Sequence, residues 1–197
     1  MRVMICYAAP GEDADTALVA EDFRSGITSQ GGNASLERLT DNASLNPITK
    51  DCLASNAVIV IFPVRGGIIP PVVDDFAKRL EAAKREYPAG RIMRLGCVVT
   101  YDGDICDQLQ LESTCENIAS RMDALYIGTV FCHVADKAAR LARLPRRINV
   151  AIHNLGRHFA VTREFHPLIA RDLAFRSRFS SALRFARRLI PVRLRSA

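Results

Sequence analysis

Between Asn56 and Leu80 the chain reads NAVIVIFPVRGGIIPPVVDDFAKRL, and no other stretch restricts its folding as much. The first part, Ala57 to Phe62, is an unbroken apolar run rich in β-branched residues, with no polar alternation that would leave one face wet. That pattern reads as a central strand of a sheet covered on both sides. The run stops at Pro63, Gly66 and Gly67 supply a flexible loop, and Pro70-Pro71 opens a segment whose apolar positions Val72, Val73, Phe76, Ala77 and Leu80 recur at helical spacing. Strand, glycine loop and proline-started helix is the order a doubly wound α/β protein uses where it holds a ligand.

The rest of the chain repeats this alternation. Arg2–Tyr7 reads as a first strand, followed by a helix from Thr16 to about Ser29 with Leu18, Val19, Phe23 and Ile27 on one face and Gly31-Gly32 at its end. A strand near Ala34–Leu39 and a helix near Pro47–Ser55 lead into the central strand. After it, Arg94–Thr100 is a fourth strand ending in the turn composition Tyr101-Asp102-Gly103-Asp104. A helix over Ile105–Met122 presents Leu109, Leu111, Ile118 and Met122, and Ala124–Val134 is the fifth strand. Asp136–Leu144 reads as helix broken by Pro145, and Arg146–Ala160 carries Ile148, Ile152, Leu155 and Phe159 on one stripe. Five strands alternating with helices predict an α/β, three-layer, parallel sheet with right-handed crossovers.

The chain has 197 residues, 49% of them hydrophobic, enough to bury one substantial core. No apolar run approaches the roughly 20 residues of a membrane span. The start, MRVMICYAAPGEDAD, reads as a first strand and not as a secretion signal, so a cytoplasmic protein is expected. Six cysteines without a CxxC pair fit that compartment. Buried free thiols are the expectation, with a redox or metal role left as an alternative for Cys106 and Cys115. His133, His153, His158 and His166 have no carboxylate or cysteine at metal-ligand spacing, and no hydrolase nucleophile motif accompanies them.

Charge divides the chain in two. Residues 1–136 hold 12 basic and 19 acidic side chains, a net −7, whereas residues 137–197 hold 15 basic and 2 acidic, a net +13. From Phe175 onward, Phe175, Phe179, Ala182, Leu183, Ala186, Leu189 and Ile190 form one helical stripe, opposite Arg176, Arg184, Arg187 and Arg188. The expected organisation is therefore a domain over residues 1–160 and a basic amphipathic helical extension over 161–197. The apolar stripe suits packing on the body or on a second subunit in a homodimer. The arginine face suits an acidic protein or an anionic membrane. Nucleic acid is not expected, because no recognised binding motif accompanies the arginines.

The order of elements, and the phrase formed by Pro63, Val64, Gly66, Pro70, Pro71, Val73 and Phe76, resemble the flavodoxin-like superfamily over roughly residues 2–160, particularly its FMN-dependent NAD(P)H oxidoreductases and short flavodoxins. The resemblance implies strand order 2-1-3-4-5, to which the basic C-terminal helix is an addition, and FMN at the carboxyl ends of strands one, three and four. It implies that Ala9, Pro10 and Thr16 of the first loop meet the phosphate at a helix N-terminus. It implies that Pro63, Val64, Arg65, Gly66 and Gly67 lay backbone amides along the flavin ring, where a Cβ would hold the backbone away. Thr100, Tyr101, Asp102 and Gly103 would close the other side, Tyr101 as a stacking platform or as an ordinary half-buried tyrosine. It names no catalytic side chain: the flavin would carry electrons from NAD(P)H or a protein donor to a quinone or other small acceptor.

The first loop departs from the family's phrase. Where serines are usual it has Ala9 and Ala14, where arginine is usual it has Gly11, and Glu12, Asp13 and Asp15 bring negative charge to the phosphate position. Two like charges ~4 Å apart repel by about 1 kcal/mol in water. A second reading follows, from another class: a flavodoxin-like domain that has lost FMN and serves as a binding module.

Overall fold

The computed structural model describes residues 1–9, 14–40, 45–86, 92–101, 107–134 and 146–174. Pro10, Asp102 and Gly103, the helix expected over Asp136–Leu144 and the arginine-faced segment from Phe175 lie outside the described residues. In chain order the elements are β1 (Arg2–Ala8), α1 (Ala14–Thr28), β2 (Asn33–Leu39), α2 (Leu45–Leu53), β3 (Ala57–Pro63), α3 (Pro71–Glu86), β4 (Arg94–Tyr101), α4 (Gln108–Arg121), β5 (Leu125–His133) and α5 (Arg146–Thr162). Residues 167–174 are helical as well. All five strands are parallel and lie in the order β2-β1-β3-β4-β5, the flavodoxin-like order.

β3 occupies the middle, and all seven of its residues are buried. Val58, Val60 and Phe62 face α2, α3 and α4, packing with Cys52, Phe76, Leu80 and Cys115. Ala57, Ile59 and Ile61 face the other layer, with Val19, Phe23 and Ile27 of α1 and Ile152, Leu155 and Phe159 of α5. Side chains alternate across the sheet, so an apolar run with no polar gaps must be sandwiched. Truncating a fully buried phenylalanine such as Phe62 in a site of this kind costs about 3–5 kcal/mol.

Several boundaries differ from the sequence expectation, for local reasons. α1 starts at Ala14 and not at Thr16, which puts Asp15 in its first turn. β4 includes Tyr101, because its pairing with β5 continues to Tyr101↔His133. α4 begins at Gln108 and not at Ile105, since the Asp107 side chain caps it by accepting from the Gln110 N–H at 2.9 Å. Leu109, expected on the buried stripe, is 79% exposed; Cys115 and Ala119 take the inner face with Leu111 and Ile118.

α1 and α5 run side by side and parallel. Asn149 donates to Asp22 at 2.8 Å, and Gly26 sits against His153, the same sequence offset one turn further on. A Cβ on Gly26 would run into the His153 carbonyl oxygen, and one on Gly156 into the Phe23 carbonyl oxygen. The two glycines let the backbones touch. After α5, Arg163 takes a left-handed conformation (φ 64°) with its N–H on Phe159 O at 2.9 Å, turning the chain back. Phe165 then covers Gly96 of β4, where a Cβ would lie 2.8 Å from its ring, and Leu173 is buried against the same layer.

Gly156→Ala is expected to destabilise the fold by about 1–3 kcal/mol in urea unfolding, because it overpacks a backbone contact. Gly31→Ala, at φ 72° with open space around its would-be Cβ, is expected to cost about 1–2 kcal/mol from backbone conformation alone. A Gly156→Ala protein as stable as the parent would show that the α1–α5 contact yields easily.

Candidate functional site

In a sheet of this order the crevice opens at the carboxyl ends of β1 and β3, where neighbouring crossovers depart to opposite faces. Three segments reach that edge. The first leaves β1 through Ala8 and Ala9, both buried. Arg38, near the end of β2, donates from Nη2 to the Ala9 carbonyl at 2.8 Å and ties the two strand ends together.

At the start of α1, Thr16 is fully buried and its Oγ1 lies 2.9 Å from Oγ1 of Thr100 on β4. The two hydroxyls, 84 residues apart, form a hydrogen bond that pins the helix start to the far side of the crevice. Asp15 precedes it in the first helical turn, where a carboxylate complements the dipole. Its charge reaches Cys132 on β5, whose thiol is pushed up to about 12, first by burial and then by that carboxylate.

The second segment follows β3. Pro63 and Val64 are buried, and the Val64 N–H donates to Thr100 O at 2.8 Å, prolonging the β3–β4 ladder. The chain then reverses over Arg65-Gly66-Gly67-Ile68: Arg65 and Ile68 form an antiparallel bridge, with the Ile68 N–H on Arg65 O at 3.1 Å. Both central residues have positive φ, 59° at Gly66 and 80° at Gly67, which side chains disfavour. Their glycines answer to this turn; a Cβ on either would meet nothing within 4 Å of the protein itself. All four turn residues are exposed, Ile68 at 70%, on the end of the most buried strand in the molecule.

The third segment follows β4. Thr100 and Tyr101 are buried, and the Tyr101 ring meets His133 edge-on, with centroids 5.3 Å apart. At 5% exposure Tyr101 contributes to the wall and presents no open face for stacking. Of the sequence-derived candidates, the structure therefore brings together Ala9, Thr16, Pro63, Val64, Arg65, Gly66, Gly67, Thr100 and Tyr101 at one edge. Sequence reasoning singled out Thr16 and Thr100 separately and missed their mutual bond. It also missed Arg38 and His133, which no local pattern marks.

Elsewhere the cysteines pair in the core. Cys6 and Cys52 approach to 3.7 Å between sulfurs, and hydrogen bonding to Cys52 together with burial holds the Cys6 thiol well above its ordinary value. Cys97 is raised by its hydrogen bond to Cys115 and by burial, while the same bond lowers Cys115. All five described cysteines are free thiols, and no group of three or more metal-ligating side chains occurs among the described residues. A groove of about 490 Å³ between α5 and residues 167–174 is lined by Arg146, Arg147, Val150, Leu168 and Asp172 among others. None of the described helices is long and apolar enough to cross a membrane.

Searches against protein-family models and against curated protein sequences return no match. Solved structures do match. A flavodoxin, WrbA-like protein from Agrobacterium tumefaciens superposes with a TM-score of 0.61 at 14% identity, over 87% of this chain and 98% of that one. An NADPH-quinone reductase from P. pentosaceus gives 0.57 at 16% identity, over 82% and 99%. An NAD(P)H:quinone oxidoreductase from Methanothermobacter marburgensis gives 0.55 at 13%, over 81% and 96%. The fold is flavodoxin-like.

The edge fits FMN in one half only. The Arg65–Ile68 turn offers an exposed, glycine-bearing strip of backbone suited to the rim of a planar ring. At the start of α1 the Thr16 hydroxyl is engaged by Thr100 and a carboxylate already stands in the first turn. Each unit of like charge added ~4 Å from it costs about 1 kcal/mol in water and about 4 kcal/mol at the effective dielectric of a protein surface.

Thr16→Val and Thr100→Val are each expected to destabilise the protein by about 1–3 kcal/mol, with the double variant less destabilised than the sum. Urea unfolding of the four proteins gives the coupling; strict additivity would show that the hydroxyl pair contributes nothing.

Proposed function

We propose that this chain is a flavodoxin-like redox protein, which holds the isoalloxazine ring of a flavin at the carboxyl edge of its sheet. The observation that carries the reading is the Arg65–Ile68 turn, raised on the end of the buried central strand with both glycines in left-handed conformation. Strand β3 fixes the base of the turn, and the Val64–Thr100 bond fixes its distance from β4. Exposed amides held in this way are pre-organised for a polar ring edge, at little ordering cost on binding. Arg65 supplies a positive charge beside the turn, suited to electron-rich oxygens at the rim of such a ring. The wall made by Val64, Thr100 and Tyr101 excludes water from one side. A bound flavin supplies the hydride and single-electron chemistry; the protein's part is to hold and orient it.

The structural neighbours named as quinone reductases support NAD(P)H as electron donor and a quinone or related small molecule as acceptor. A second reading rests on Asp15 and the Thr16–Thr100 pair, which oppose a phosphorylated cofactor: the cleft then serves as a binding module for an uncharged ligand.

The test is a titration of the purified full chain with lumiflavin, the ring without its side chain, followed by ligand fluorescence. Saturable quenching is expected, weakened about tenfold or more, equivalent to roughly 1.4 kcal/mol, in Gly67→Val. NAD(P)H-dependent reduction of a quinone by the flavin-loaded protein should follow. A folded protein that binds no ring would end the redox reading.

A further inference from the structure

Given that flavin-binding reading, we infer that the cleft discriminates against the phosphate of FMN, with Asp15 and the Thr16–Thr100 hydroxyl pair as specificity determinants, and that its ligand is an uncharged flavin of the riboflavin type. The ground is the start of α1. A helix N-terminus beside the crevice is where a phosphate would ordinarily be received, by free amides, neighbouring hydroxyls and a favourable dipole. This chain keeps the amides and changes the other two. Asp15 places a carboxylate in the first turn, so the dipole is complemented from within. Thr16, the nearest hydroxyl, is fully buried and bonded to Thr100 at 2.9 Å, so it is directed into the protein. Ala8, Ala9 and Ala14 bring no further hydroxyl or charge.

Among the described residues, Arg38 bonds this loop through the Ala9 carbonyl. A phosphate of nearly two negative charges is held by a local positive excess, whereas Glu12, Asp13 and Asp15 make this stretch of the sequence acidic. The charge of Asp15 is also felt within the fold, since it contributes to the raised Cys132 thiol. The ring side of the crevice carries no such opposition. Arg65 lies there, and the turn exposes backbone. Ring recognition and phosphate recognition are thus separable in this molecule, and among the described residues the features at the start of α1 favour only the first.

The experiment titrates the full chain in parallel with riboflavin, FMN and lumiflavin, at low and at high salt, and repeats it with Asp15→Asn. Riboflavin is expected to bind at least tenfold more tightly than FMN. Rising salt should improve FMN binding and leave riboflavin unchanged, because it screens a repulsion. Asp15→Asn should shrink the preference about tenfold, with circular dichroism checking its fold. If lumiflavin binds but FMN binds as well as or better than riboflavin, or FMN weakens with salt, the inference is overturned and the redox reading stands. If no ring compound binds, both fall. The salt series needs only the parent protein, so it decides the matter even if the variant fails to fold.

Discussion

Everything at the carboxyl edge is positioned by the burial of β3 on both faces. A strand with seven consecutive buried residues can only sit between two helical layers, and parallel pairing on each side places β1 and β4 as its neighbours. The ends of those three strands then define one crevice, whatever side chains line it. Moving β3 to an edge would expose Ile59, Ile61 and Phe62, at about 1.5–3 kcal/mol for each side chain. The core contribution far exceeds any single polar contact in the crevice.

The contact between α1 and α5 carries that order into the site. Gly26 and Gly156 bring the two backbones together, so α1 has little room to slide or rotate over the sheet. Its first turn is fixed accordingly, and the Thr16–Thr100 bond closes the position from the other end. Where the helix begins decides the electrostatics of the crevice. With a start at Ala14, Asp15 lies within the first turn, close enough to act on the helix dipole and on any anion that approaches it.

The fold was largely legible because its signals are local and repeated. The uninterrupted run at Ala57–Phe62, the Pro70-Pro71 helix start and the Gly31-Gly32 helix end each point to one conformation, and they agree with one another. The errors lie at element ends, where tertiary partners act: pairing with β5 draws Tyr101 into β4, and the Asp107 cap shortens α4. The site was legible as an edge and less so as chemistry. Composition marks Gly66 and Gly67 as a loop, but that both adopt positive φ in a bridged turn depends on how Arg65 and Ile68 meet. The Thr16–Thr100 bond joins residues far apart in the chain, and the Gly26–Gly156 contact appears only once two helices are packed. No periodicity records such pairs.

The two halves of the crevice depend on side chains to different degrees. At the end of β3 the exposed turn is largely backbone, and its shape follows from strand position and two glycines with positive φ. At the start of α1 the same backbone amides exist, but their effect on a ligand is set by the charge of the first turn and by what the nearest hydroxyl is bonded to. A single carboxylate in that turn opposes the dipole's attraction for an anion without moving any strand. The turn at the end of β3 thus follows from the strand's place in the topology, whereas the charge an approaching anion meets is set by the first helical turn.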